Sequence, residues 1–211
     1  MSQELCISRA LFVPCKERSE MMYNVYDCVE AFFPLLNTEY HLILGRKGHA
    51  VSLWVGFDKK DCFHLMGLQY LKDRPQLGRD RGVIFDEIKE KKIKPEQIES
   101  SDLYYKIVER INMLPLLEMV FDSDYTIFKY NQKIHTFSMI QAEYLMKNYI
   151  KGRNIFVFLS ENSNGKYFCR SFFPEGEKDY SKNQASWTLL CKKKINISTG
   201  EEKVLLNRMK K

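Results

Sequence analysis

Ile155-Phe156-Val157-Phe158-Leu159 decides the fold, because five consecutive apolar residues favour a strand that is covered on both faces. Turn residues 162–165 follow it, and residues 167–173 are predicted as the returning strand. Residues 187–197 and 202–207 flank a Ser-Thr-Gly turn in the same way. The second half of the chain is therefore predicted to form two consecutive hairpins of an antiparallel sheet.

Helices are predicted for most of the first half. Residues 19–33 carry an amphipathic pattern behind a Ser19 cap, and Pro34 should end that helix. From residue 65 to about 121, apolar residues recur at three- and four-residue steps. Within this region, Pro95 predicts the first turn of a short helix.

One hairpin interrupts the helical half. Residues 40–46 and 49–57 are rich in β-forming residues around Lys47-Gly48, and Trp54 is expected in the core. Together the patterns predict an α+β fold, in which a helical N-terminal half packs on a C-terminal antiparallel β-sheet.

The composition is that of one globular domain. Of 211 residues 45% are hydrophobic, which is enough for a well-filled core. No stretch approaches the ~20 apolar residues that cross a membrane, and the N-terminus lacks a signal-peptide pattern. The six cysteines form no Cys-x-x-Cys pair, so neither a zinc site nor a disulfide framework is predicted. We expect a single cytoplasmic domain over residues 1–211, with its core at about 19–208 and no membrane partner.

The charge is concentrated at the C-terminal end. The net charge is +6, and residues 182–211 hold eight basic against two acidic residues, which equals the whole excess. A basic surface of this kind attracts polyanions, among which nucleic acid is the commonest. A solvated strand face with a basic tail explains the charge equally well.

Phe63-His64-Leu65-Met66-Gly67-Leu68 places one titratable imidazole in an apolar run. Histidine has an ordinary pKa near ~6.5, which lets it take or give a proton at neutral pH. A buried histidine that only donates to a backbone carbonyl fits the run as well. His64 is the candidate acid or base.

Cations near a scissile phosphate are the second requirement of metal-independent RNA cleavage. Lys106 and Arg110 are four residues apart, hence predicted on one helix face, where a phosphate would relieve their mutual repulsion. Pairing of Asp102 with Lys106, with Arg110 in solvent, is favoured on the spacing alone.

The strand at residues 167–173 offers a further candidate. Arg170 is expected to share its face with Phe168 and Phe172. The three side chains would form a pocket for a phosphate and a stacked base, or the arginine stem would simply cover the rings. Ser171, Gln184 and Thr188 are polar neighbours on or near this sheet.

The same stretch resembles a known family. Phe63 to Leu68, followed by Tyr70-Leu71-Lys72-Asp73, is similar to the F-x-H-L-x-G-L…L-x-D segment of phage Barnase-EndoU-colicin-RelE-like nucleases of the fourth group. Further similar pieces follow in the family order and cover residues 39–205. The resemblance implies a Barnase-EndoU-like α+β fold, metal-independent ribonuclease activity without a cofactor, and a toxin-like or phage-conflict role.

The resemblance also implies roles for individual residues. His64 would be the acid or base. Arg110, Ser138, Ser171, Gln184 and Thr188 would be the polar lining, and all of these but Gln184 are predicted to be catalytic. The predicted substrate-binding residues are Gln184 and Tyr144, which stand in matching pieces, together with Lys106 and Arg170, which are chosen for their charge. The family pattern has a lysine near the position of Met139 or Gln141, and neither residue is basic here. Lys106 or Arg170 is therefore expected to stabilise the phosphate.

The sequence thus predicts an endoribonuclease that cleaves by attack of the 2′-hydroxyl, with RNA and an antitoxin or immunity protein as partners. Two alternatives stay open. One is a non-catalytic RNA-binding module, and the other is a regulatory protein whose basic face meets an acidic partner.

Overall fold

The structure is a computed structural model that describes residues 23–135 and 138–209. Six α-helices occur in these residues: α1 Val25–Phe32, α2 Lys59–Met66, α3 Arg81–Lys89, α4 Pro95–Glu99, α5 Val108–Met113 and α6 Leu117–Asp122. The same residues form eight strands: β1 Thr38–Arg46, β2 His49–Val55, β3 Thr126–Lys129, β4 Tyr144–Ile150, β5 Arg153–Glu161, β6 Tyr167–Pro174, β7 Ala185–Asn196 and β8 Glu202–Asn207.

The strands form one sheet in the order β1-β2-β6-β5-β4-β3-β7-β8. Strand β1 also pairs with β7, so seven strands close into a barrel and β8 extends it. Every pairing is antiparallel except that of β2 with β6, which is parallel and limited to Val55 opposite Tyr167. The α+β class is as predicted. The sheet is not confined to the C-terminal half, as was predicted, because the N-terminal hairpin β1–β2 belongs to the same barrel.

Strand β5 is central and covered on both faces, as its apolar run predicted. Ile155, Val157 and Leu159 belong to the larger core, which they share with the helices. Phe156 and Phe158 point the other way into a second cluster with Tyr130 and Leu145. Full burial of each such side chain contributes about 1.5–3 kcal/mol, so the strand is fixed from both sides.

Helix α1 is shorter than predicted. The Asn24 side chain accepts hydrogen bonds from the backbone N–H groups of Tyr26 (2.7 Å) and Asp27 (3.4 Å), and the Asp27 carboxylate accepts one from Asn24 N–H (2.7 Å). This capping box starts the helix at Val25. The predicted start at residue 19 is therefore wrong, and the proposed cap, Ser19, lies outside the described residues.

One further expectation is corrected. Trp54 is not in the core: Leu53 and Val55 face inward, so Trp54 faces outward with 38% of its surface exposed, stacked on His41 at 4.1 Å between ring centroids. None of the helices in the described part of the chain has the length and apolar character of a membrane span.

Candidate active site

Helix α2 places His64 in its last turn. The helix starts at a capping box in which the Asp58 carboxylate accepts from Lys60 N–H (2.9 Å) and the Asp61 carboxylate accepts from Asp58 N–H (2.8 Å). It ends at Gly67, which adopts the left-handed conformation with φ +82°. His64 is half-buried between these two fixed ends.

Gly67 also lets a second functional side chain approach closely. A Cβ atom at this position would lie 2.8 Å from Arg110 Cδ, 3.0 Å from Ile107 Cγ2 and 3.2 Å from Tyr70 Cδ2. Only glycine combines this backbone angle with such close contacts. The end of α2 is therefore the surface on which the Arg110 and Tyr70 side chains rest.

Strand β6 contributes Arg170 through a β-bulge. Phe158 pairs with Ser171 and Leu159 pairs with Cys169, so Arg170 is the extra residue without a partner on β5. A bulge turns the side chain of the extra residue away from the regular alternation. The prediction that Arg170 shares its face with Phe168 and Phe172 is therefore wrong: Phe172 packs in the larger core, whereas Phe168 lies opposite Ser160.

Helices α2 and α5 lie beside the edge of β6 that β2 leaves unpaired. The Arg110 guanidinium donates to the backbone carbonyl of Phe172 at 3.4 Å. The His64 ring interacts with the backbone of Arg170, and this hydrogen bond raises its pKa. The imidazole and the guanidinium thus line the edge of β6 where the bulge occurs.

The net effect of the surroundings is to lower the pKa of His64. Burial is the largest cause, followed by the positive charges of Arg81, Arg170 and Arg110. The ring is therefore neutral at pH 7. Within the described residues its Nδ1 atom is buried and has no hydrogen-bond partner. A neutral imidazole is the form of histidine that can accept a proton.

The three arginines whose charges act on His64 are a candidate site for an anion. Arg110 lies between two aromatic rings, with Cζ 5.5 Å from the centroid of Tyr70 and 5.7 Å from that of Phe173. Burial lowers the pKa of Arg110, yet a guanidinium stays charged in proteins. Three cations next to a neutral base are suited to a phosphodiester, whose charge would relieve their repulsion.

Residues 24–208 match the family described as phage-Barnase-EndoU-ColicinE5/D-RelE like nuclease 4. The chain belongs to this family. Membership assigns it to the nucleases of this type, as the resemblance implied. No curated protein and no solved structure matches the chain.

Of the residues predicted for the site, the structure brings His64, Arg110 and Arg170 together. Ser171 follows Arg170 directly, but it lies opposite Phe158, on the face of the second cluster. Thr188 is exposed on β7 opposite Gly45, and in the barrel β7 is separated from β6 by two strands on one side and three on the other. Thr188 is therefore remote from His64.

Ser138 and Gln184 fix loops beside the second cluster. The Ser138 hydroxyl lies 3.0 Å from Tyr130 Oη. The Gln184 amide makes two hydrogen bonds with the backbone of Asn131, at 2.8 and 3.1 Å. Their polar groups are thus used within the protein. A His135 ring nitrogen contacts the Tyr180 carbonyl at 2.8 Å and joins the same two loops.

Tyr144 and Lys106 also lie apart from the three arginines. Tyr144 is buried against Tyr167, at 5.7 Å between ring centroids. Lys106 ends a 3-10 turn and Arg110 lies in α5, with a break at Ile107, so the two do not share a continuous helix face as predicted. Lys106 is not among the charges that act on His64.

Three lysines of the basic C-terminal run are engaged within the protein. Lys192 is buried and donates to the carbonyls of residues 121–123. Lys193 pairs with Glu202 at 2.7 Å, and Lys194 pairs with Glu118 at 2.7 Å. These three lysines therefore form no free basic surface.

Sequence reasoning missed three residues of the site: Gly67, Tyr70 and Arg81. Gly67 and Tyr70 belong to the segment around His64 that resembles the family, but no role was predicted for them. Arg81 could have been recognised from the sequence by its position. It lies in the first turn of α3, where a positive charge interacts unfavourably with the helix dipole, so a role outside the helix would explain its presence. Within residues 23–135 and 138–209 no three His, Cys, Asp or Glu side chains are grouped as metal ligands.

Proposed function

We propose that the protein is an endoribonuclease that works without a metal ion and uses His64 as its base. The observation that carries the proposal is the position of His64 at the end of α2, beside the β6 bulge at Arg170, with Arg81, Arg110 and Arg170 near enough to lower its pKa. The base needs a low pKa to be free at neutral pH, and the phosphate needs cations. The same three arginines meet both needs.

The reaction follows from these groups. His64 takes the proton of the ribose 2′-hydroxyl, and the 2′-oxygen forms a bond to phosphorus. The bond from phosphorus to the 5′-oxygen breaks, and that oxygen takes up a proton from water. Arg110 and Arg170 bind the non-bridging oxygens, where negative charge accumulates in the transition state. The products are a 2′,3′-cyclic phosphate and a free 5′-hydroxyl.

The test is cleavage of end-labelled RNA in EDTA by the wild-type protein, His64→Ala and His49→Ala. His49 lies exposed on β2 and serves as the matched control. We expect cyclic-phosphate products from wild type and His49→Ala, and a rate lower by roughly 10²–10⁴ for His64→Ala, which is the usual contribution of a general base. A single 2′-deoxy substitution on the 5′ side of the cut should abolish cleavage there.

Equal cleavage by wild type and His64→Ala would remove His64 from the mechanism. Binding of RNA by folded wild-type protein, with no cleavage of structured, single-stranded or transfer RNA, would instead favour the non-catalytic RNA-binding module.

We also propose a growth-inhibitory role in conflicts between bacteria and phages, which rests on the family resemblance alone. An antitoxin or immunity protein with an acidic surface would complement the arginine cluster. Arrest of a bacterial host on expression of wild type but not of His64→Ala would support the role.

A further inference from the structure

A cavity of about 220 Å³ lies between the end of α2 and the start of α3, and Phe63, the chain neighbour of His64, is part of its lining. Its apolar lining includes Phe63, Leu68, Leu71 and Leu77, which are all at least 96% buried. The cavity has room for a small ring system, because a single water molecule needs only about 10–15 Å³ of such space.

Basic side chains line the same cavity. Arg74 and Arg79 have carboxylate partners, Asp73 at 3.3 Å and Glu87 at 2.6 Å. Lys72 and Arg81 are exposed, and within the described residues neither forms an ion pair. An apolar cavity with two uncompensated cations favours a ligand that combines a ring with negative charge.

The cavity is physically connected to the candidate active site. Arg81 lines it and also acts on the pKa of His64. Gln69 lines it as well, and the Gln69 amide N–H donates to the backbone carbonyl of His64 at 3.3 Å. A group held in the cavity is therefore close to a phosphate held by the arginines.

Gln69, which lines the cavity, also carries a buried polar atom without a partner in the described residues. Because its amide nitrogen is used by the His64 carbonyl, its Oε1 atom is oriented as an acceptor, and this buried atom has no partner within the described residues. Buried polar atoms of this kind normally have a hydrogen-bond donor. A base N–H group would provide one.

We propose that this cavity is a nucleotide subsite. It holds the nucleotide next to the scissile phosphate, with the base against Phe63 and Leu68, its N–H edge toward Gln69, and its phosphate on Lys72 and Arg81. The proposal rests on the proposed ribonuclease function, since that function supplies the polymer to which the nucleotide belongs.

Calorimetric titration with adenosine 5′-monophosphate tests the subsite directly. This probe has no phosphodiester bond to cleave, so binding is measured without turnover. We expect Lys72→Glu to weaken binding roughly tenfold, which is the effect of losing one charged hydrogen bond. Leu77→Trp, which fills the cavity, should weaken binding of the mononucleotide but not of inorganic phosphate. Lys203→Glu, on exposed β8, is the control for the same change in net charge.

Equal affinity of wild type, Lys72→Glu and Leu77→Trp would overturn the proposal, and so would absence of binding to wild type. If Leu77→Trp fails to fold, Lys72→Glu alone decides, because its side chain is at the surface. If wild type binds adenosine 5′-monophosphate, the two variants bind it more weakly and wild type cleaves no RNA, the cavity is a site for free nucleotides and the ribonuclease proposal is refuted. Cleavage of RNA by a wild-type protein that does not bind the mononucleotide would support the ribonuclease and refute the subsite.

Discussion

At the scale of single residues, the candidate site consists of one base whose proton affinity is set by its neighbours. His64, Arg110 and Arg170 could be predicted, because each carries chemistry that a phosphodiester needs and each stood in a recognisable segment. Their proximity could not be predicted from spacing, since 106 positions separate the first from the last and only the fold brings them together. Thr188 shows that a suitable residue type is not sufficient: it was predicted for the site, but it lies on a remote strand.

Arg81→Gln should move the pH dependence of cleavage. Removing this positive charge raises the pKa of His64, so the neutral base is lost at a higher pH. The acid limb of the kcat/KM profile should therefore shift to higher pH than in wild type. Rates on one RNA substrate between pH 4.5 and 8, a range of about three to four units around the ordinary histidine pKa, measure the shift.

Arg79→Gln is the matched control, because Arg79 pairs with Glu87 and is not among the charges that act on His64. An unchanged acid limb in Arg81→Gln, or the same shift in both variants, would contradict the assignment of His64 as the base.

At the scale of elements, the site depends on two local departures from regular structure: the bulge at Arg170 and the left-handed end of α2 at Gly67. The returning strand was predicted from its apolar residues, but the bulge was not, because one extra residue leaves no trace in such a pattern. Strands β3 and β4 were also missed. Strand β3 has only four residues, and Lys147-Asn148 interrupts the apolar pattern of β4. Lys147 donates to Asp179 in a loop, and the Asn148 amide donates to the Val120 carbonyl of α6.

Gly67→Ala should damage both stability and activity. The left-handed backbone costs a residue with a Cβ roughly 1–2 kcal/mol, and the added atom would also press on Arg110 Cδ at 2.8 Å. We therefore expect a larger loss of unfolding free energy than the backbone strain alone produces, together with a fall in kcat/KM. Urea denaturation and RNA cleavage assays give the two values.

Gly48→Ala separates the two effects. Gly48 has the same φ of +82°, but nothing lies within 4 Å of the added Cβ. This variant should lose only the backbone contribution and keep its cleavage rate. If Gly67→Ala lost no more unfolding free energy than Gly48→Ala and kept its cleavage rate, the close approach of Arg110 to α2 would not contribute to stability or activity.

At the scale of the whole molecule, barrel closure joins the two halves of the chain. Residues from Thr38 to Gly45 of β1 pair with residues from Asn196 to Thr188 of β7. Both strands were predicted, yet their pairing was not, since strand patterns contain no information on which distant strand is the partner. The helices therefore pack against a barrel whose strands come from both halves of the chain.

Lys192 links the barrel to the helices, and its replacement tests how much that link contributes. The buried ammonium on β7 donates to three backbone carbonyls at the end of α6, at Phe121, Asp122 and Ser123. A positive charge is favourable at a helix C-terminus, and buried carbonyls that lose their donor are costly. Lys192→Met should therefore lower the unfolding free energy by about 3 kcal/mol, since each unsatisfied buried group costs roughly 1–3 kcal/mol.

Lys193→Met removes the neighbouring lysine, whose partner Glu202 is exposed, and should change stability little. Urea denaturation of the three proteins gives the comparison, and equal stability of both variants would show that the α6 carbonyls find other donors once Lys192 is gone.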